Sequence, residues 1–278
     1  MSRRIPNVLT IAGSDPSGGA GIQADLRTFA ALGVYGCSAL TALTSQNTLE
    51  VTAIHLVPPP FLRQQLDAVF TDVRIDAVKI GMTGSAETIE VIADALRVYR
   101  PPFVVLDPVL RASTGAALLD SAALRVLLSE LLPLVTVVTP NTYEVGMLLG
   151  IDAPDSVSAA RAAARALTGR RARAVLVTGG HLADPTVSVD VLDDGSDVQE
   201  SSVSRVPGTG THGTGCTLAS AIAAFLALGS ELPRACRDAQ GFVARAIMHA
   251  PELTVGRGTG PVHQLGTTWN RHQDDAAV

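Results

Sequence analysis

Short apolar runs alternate with amphipathic stretches nearly from end to end of the 278-residue chain. The runs VLTIA, CSALTAL, AIHLV, DAVKIG, FVVLDP, VTVVTPN and AVLVTGG, bounded by Gly, Pro, Asn or Asp, predict buried strands. Between them, apolar residues recur at helical spacing. In 21–32, for example, Ile22, Leu26, Phe29 and Ala30 share one face. The same habit predicts helices over 59–70, 87–99, 121–132, 156–168, 214–228 and 233–249. Strand alternating with helix implies an α/β fold, a mostly parallel central sheet with helices on both faces. The stretch SVDVLDDGSDVQESSV breaks the rhythm and predicts a hairpin turned at DDGSD, at a sheet edge. No repeat or linker interrupts the pattern. We therefore expect a single domain over 1–268 and a frayed tail over 269–278.

Composition narrows the function classes. The chain is 47% hydrophobic, yet no apolar run approaches the roughly 18–20 residues that would span a bilayer. The start, MSRRIPNVLTIAGSD, has too short an apolar core for a signal peptide and reads as a first strand. A net charge of −5, with no basic stripe, argues against nucleic acid as a partner. The widely spaced Cys37, Cys216 and Cys236 form neither a disulfide framework nor a zinc site, which places the chain in the cytoplasm. Among 21 basic residues, only Lys79 is a lysine.

In open α/β sheets, ligands bind beyond the carboxyl ends of the strands. Polar and glycine-rich residues gather there: GSDPSGGAG after VLTIA, Asp107 after VVL, Asn141 after VVTP, Thr178 after VLV. HGTGC, at 212–216, opens an apolar helix whose first N–H groups lack intrahelical partners. Gly213 and Gly215 would let a phosphate approach those groups, or would simply make a tight turn. Cys216 is either a small hydrophobe or a thiol whose ionisation the helix N-terminus favours. Neither the Walker nor the Rossmann spacing is present.

Together these segments resemble the hydroxymethylpyrimidine/phosphomethylpyrimidine kinases of thiamine biosynthesis, in the ribokinase-like superfamily. The resemblance runs over about 7–265. It rests on TIAGSDPSGGAGIQADLRTFAALGVYGCSALTALTSQNT, DAVKIGM, VVLDPV, TPNTYE, GGHL, HGTGCTLASAIAA and VGRGTGPVH. It implies MgATP-dependent phosphorylation of 4-amino-5-hydroxymethyl-2-methylpyrimidine and then of its monophosphate, in a homodimer. Gln46 matches the glutamine that reads the pyrimidine edge, and its carboxamide offers the donor and acceptor that an aminopyrimidine needs. Asp25, Gly13, Met82 and Val109 match other substrate-pocket positions. Asp107, Asn141 and Glu144 match the Mg²⁺ and phosphate network, with metal binding expected of Asp107 and Glu144. Thr178 and Thr214 fall at nucleotide positions. Cys216, with Gly213 and Gly215, is implied to be catalytic, the sulfur facing the substrate alcohol.

The chain departs from the pattern at two cations. Thr178 and Ser113 stand where the family usually has lysines, and Arg111 is the expected substitute for ATP binding, with Arg205 second. Two other readings stay open. One is a pyridoxal-type kinase; the other is a pyrimidine-binding regulatory protein that has lost phosphate chemistry.

Overall fold

The computed structural model describes residues 4–110, 119–170, 172–206 and 210–269. Nine strands form one sheet in the order β3-β2-β1-β4-β5-β6-β7-β8-β9. They are β1 (Asn7–Ser14), β2 (Tyr35–Gln46), β3 (Val51–Leu56), β4 (Ala77–Ile80), β5 (Val104–Leu106), β6 (Val137–Val138), β7 (Val175–Val177), β8 (Val187–Asp193) and β9 (Val198–Ser204). The six central strands from β2 to β7 in that order are parallel, while β3, β8 and β9 pair antiparallel. The hairpin expected at DDGSD is β8–β9, and it ends the sheet. Gly195, at φ 85°, supplies its turn conformation. The run AIHLV, expected to be a buried strand, is instead the exposed edge strand β3. An antiparallel edge needs only one covered face, so its apolar residues need not be core.

Among the described residues, eight α-helices flank the sheet: α1 (Gly21–Ala31), α2 (Pro59–Asp72), α3 (Ala86–Tyr99), α4 (Ser121–Val126), α5 (Thr142–Leu149) and α6 (Val157–Thr168) between strands, and α7 (Thr214–Ala227) and α8 (Leu232–Met248) after the last one. The helix expected over 121–132 begins as α4 but widens to a π-helical turn at Leu127–Leu131. Helix α5 was not expected. Its amino end is a capping box: Asn141 accepts from the Glu144 N–H, and the Glu144 carboxylate accepts from the Asn141 N–H.

The sheet separates two cores. Leu9, Ile11, Val78, Ile80, Leu106 and Val138 point toward α2, α3, α5 and α6. Val8, Ala77, Val105 and Val137 point the other way, toward α1, α7 and α8. Alternate residues of one strand thus fill opposite layers, which explains the near-continuous apolar runs. No helix among the described residues is long and apolar enough to cross a membrane. Of the expected tail, only Trp269 is described, edge-on to His263 at 4.8 Å; the rest lies outside the described residues.

Candidate active site

Short strands and their loops open one crevice of about 1310 Å³ along the carboxyl edge of the sheet. That volume exceeds the range of about 300–1,000 Å³ typical of a single small-ligand site. Gly13, Gln46, Met82 and Val109 line one part of it; Asn141, Glu144, Thr178 and Thr214 line another. Asp107, Gly213, Gly215 and Cys216 lie on the same wall. The expected residues therefore converge, with Asp25 the exception and Arg111 and Ser113 outside the described residues.

Helix α7 supplies the crevice with its amino end. Gly213 is its N-cap at φ 84°, and no side chain caps the first turn. A Cβ on Gly213 would lie 1.9 Å from the Gly19 carbonyl oxygen, so the loop between β1 and α1 packs directly on this turn. The two glycine-rich segments are also tied by side chains. His212 Nε2 lies 3.0 Å from Asp15 Oδ2, and Asp15 accepts from the N–H groups of Ser17 and Ala20 and from the Ser17 hydroxyl. Burial alone would raise the Asp15 carboxyl, but these hydrogen bonds, led by His212, bring it down to about 2. The sequence reading quoted both segments without pairing them; only the fold brings residues 15 and 212 together.

Two carboxylates face this helix end. Desolvation pushes Asp107 up to about 6, against the opposing field of Lys79 and the Cys216 hydrogen bond. Glu144 rises to about 8, first through burial and then through repulsion from Asp107. Such a pair of crowded hard oxygen donors fits a divalent cation, whose charge would relieve both effects. No group of three or more His, Cys, Asp or Glu positioned to hold a metal occurs among the described residues. Asp107 and Glu144 are the residues that would hold such an ion. Asn141 contributes differently from expectation: its carboxamide oxygen caps α5, so the N-x-x-E pattern builds a helix start and presents Glu144 at once.

Three expectations need correction. Asp25 is not a pocket residue. It is fully buried between β1, β4 and α7, where it accepts from Thr10, Lys79 and Ser220. The surroundings of the Cys216 thiol oppose its ionisation. Burial, together with the charges of Asp107 and Asp25, pushes it up to about 12, despite the Lys79 charge and the Gly21 N–H. The desolvation exceeds what a helix end recovers. Arg205 lines the crevice, but its guanidinium is already engaged: it donates to the carbonyls of Gly179, Gly180, Leu182 and Asp184 and so clamps the loop after β7. Lys79, the lone lysine, has no site role in the sequence pattern. It lies under the crevice on β4, and its rarity in the composition was the available signal.

One crevice that joins an uncapped helix end, paired hard oxygen donors and the apolar Met82 and Val109 is built for small-molecule phosphoryl transfer. In this doubly wound setting it defines a ribokinase-like small-molecule kinase. A search of protein-family models matches residues 15–263 to phosphomethylpyrimidine kinase. The chain is 45% identical over 265 residues to a hydroxymethylpyrimidine/phosphomethylpyrimidine kinase of Salmonella typhimurium, covering 95% of this chain and 98% of that one. It is 50% identical over 269 residues to the thiamine biosynthesis bifunctional protein ThiED of Geobacter sulfurreducens, covering 95% of this chain but only 54% of that relative. Among solved structures, a pyridoxal kinase of Staphylococcus aureus in complex with ADP superposes with a TM-score of 0.88. It is 33% identical, with 96% of each chain covered. A phosphomethylpyrimidine kinase of Clostridium difficile 630 gives a TM-score of 0.77 at 38% identity, covering 87% of this chain and 99% of that one. The chain belongs to the phosphomethylpyrimidine kinase family.

Proposed function

We propose that this chain transfers the γ-phosphoryl group of ATP to the hydroxymethyl oxygen of 4-amino-5-hydroxymethyl-2-methylpyrimidine, and then phosphorylates the resulting monophosphate. The observation that carries this reading is the shared crevice. Gln46 and the apolar Met82 and Val109 fall on the side suited to a flat ring, and the bare start of α7 falls on the side suited to phosphate. The Gln46 oxygen accepts from the Thr44 hydroxyl at 3.2 Å, which steadies the carboxamide for an aminopyrimidine edge. In a loose phosphoryl-transfer transition state, positioning and charge stabilisation outweigh proton removal. The amide groups that begin α7 hold the moving phosphoryl oxygens, and preorganised donors of this kind are worth about 3–4 kcal/mol each. The Cys216 thiol is hydrogen-bonded to Asp107, so the sulfur takes the alcohol proton only late, after passing its own proton to the Asp107 carboxylate. Mg²⁺, held by Asp107 and Glu144, would supply the counter-charge for the phosphates.

The free, widely separated thiols suit a reducing cytoplasm. Leu43, Leu49, Ile54 and Leu56 are exposed along β2, β3 and the turn joining them, and support assembly as a homodimer through that edge.

The test is an ADP-release assay with the hydroxymethylpyrimidine, its monophosphate and pyridoxal. Turnover of both pyrimidines, with more than tenfold loss in Cys216→Ala, is the expected result. The Staphylococcus aureus match keeps pyridoxal in the assay; turnover of pyridoxal alone would assign the pocket to that ring instead. Pyrimidine binding without any ADP release would leave a regulatory protein.

A further inference from the structure

The one lysine of this chain sits where a lysine is least expected. Lys79 lies in β4 between Val78 and Ile80, and its side chain, like that of Asp25, is 0% exposed. Its Nζ is 2.9 Å from each Asp25 carboxylate oxygen. Asp25 is held from two further sides: the Ser220 hydroxyl of α7 donates to Oδ1 at 2.7 Å, and the Thr10 hydroxyl of β1 donates to Oδ2 at 2.6 Å. Thr10 is the register partner of Lys79 across β1 and β4. Four elements therefore fix one ion pair.

Stability is a weak reason for this arrangement, since well-packed apolar groups of similar volume serve a core as well as a buried pair or better. The pair is also polarised. Lys79 is among the residues that line the crevice, with Asp107 and Cys216, and Asp25 is not. Gly81 keeps that lining open: a Cβ there would lie 2.8 Å from Lys79 Nζ and 3.0 Å from the Ala12 Cβ. Both members of the pair act electrostatically on Asp107 and Cys216, the ammonium more strongly than the Asp25 carboxylate that opposes it.

We propose that Lys79 is a positioning residue for the transfer: a buried cation, locked by Asp25, Thr10 and Ser220, that sets the charge under Cys216 and Asp107 without touching either ligand. Low-dielectric surroundings make a fixed charge of this kind effective at short range. The proposal rests on the kinase reading above. Wild-type enzyme inactive on every substrate would defeat that reading. Active wild type with an unimpaired variant would defeat only this one.

Lys79→Met alone leaves Asp25 buried and unpaired, so folding would fail for a trivial reason. The informative protein is the double variant Lys79→Met/Asp25→Asn, which is neutral and near in shape. A structural role predicts normal kcat once the protein folds. A positioning role predicts kcat at least tenfold lower, with KM for ATP and for the pyrimidine within threefold of wild type, at a Tm within a few degrees. Full kcat in the folded double variant overturns the proposal. Should the double variant not fold, Ser220→Ala decides, because it keeps both charges and only loosens Asp25. A kcat reduced twofold to fivefold at constant KM supports the role, and an unchanged kcat overturns it.

Discussion

Asp15 and His212 lie 197 residues apart in sequence and close the two glycine-rich segments against each other. Because the Asp15 carboxyl falls from 3.8 to about 2 on folding, its ionised form is favoured in the folded state. Its stabilisation is therefore fully present above pH 4 and is lost as pH falls toward 2. A shift of that size corresponds to about 2 kcal/mol. Asp15→Asn is expected to lower stability by about that amount at pH 7, read by denaturant unfolding, with the gap to wild type closing between pH 4 and 2. A gap that persists unchanged at pH 2 would mean the asparagine disturbs packing rather than charge. At Cys216 the direction is opposite. A thiol pushed up to about 12 holds far less thiolate at pH 8 than an ordinary one at 9. Alkylation of the Cys216 peptide by iodoacetamide in the ligand-free protein should run more than tenfold slower than that of a free cysteine. The Cys216 shift is set by groups remote in sequence, whereas Asp15 draws on its neighbours Ser17 and Ala20 as well as on the distant His212, which only the fold supplies.

Helix starts and their glycines were the legible elements. The run HGTGC followed by an apolar stretch announced α7, and DDGSD announced the β8–β9 turn, because both depend on local backbone demands. Helix α5 was hidden by its own first turn, since N-x-x-E reads equally as a ligand pattern and as a capping box, and both readings describe this chain. Strand β3 was misjudged because an apolar run does not reveal whether one face or two are covered. The glycines of α7 allow a sharp comparison. Gly213→Ala brings a methyl to 1.9 Å from a backbone oxygen at φ 84°. Backbone strain of about 1–3 kcal/mol follows, with displacement of the β1–α1 loop. In contrast, a Cβ at Gly215 meets only the Asp107 carboxylate, no closer than 3.7 Å. Gly215→Ala should therefore fold with a normal Tm yet lose more than tenfold in kcat/KM, since its methyl stands where the phosphoryl group must approach. Equal losses of stability in both variants would remove the distinction.

At the scale of the molecule, the crevice concentrates acidic groups: burial raises both Asp107 and Glu144, and repulsion from Asp107 raises Glu144 further. Asp107 and Glu144 share its centre with the amino end of α7, and the lysines that the resemblance led us to expect at 113 and 178 are replaced by Ser113 and Thr178. Of the replacement cations, Arg205 is committed to four carbonyls, and Arg111 lies outside the described residues. A triphosphate entering without a divalent ion meets two acidic side chains at short range, and the repulsion opposes the favourable helix end. In the proposed reaction the same carboxylates would become ligands of Mg²⁺. Binding should thus be strongly metal-dependent, and thermal unfolding reports it, because a ligand at 100 times its Kd adds about 2.7 kcal/mol to stability. That corresponds to a Tm rise of roughly 5–10 °C for a chain of this size. ATP with Mg²⁺ should produce such a rise, and ATP with EDTA should produce little. Glu144→Gln should narrow the difference between the two conditions, since it removes both a ligand and a repelling charge. It should also raise the affinity for metal-free ATP. If EDTA leaves the ATP-induced rise intact in wild type, then Asp107 and Glu144 do not hold a cation, and the paired carboxylates must be assigned to the structure of the β5 and β6 ends alone.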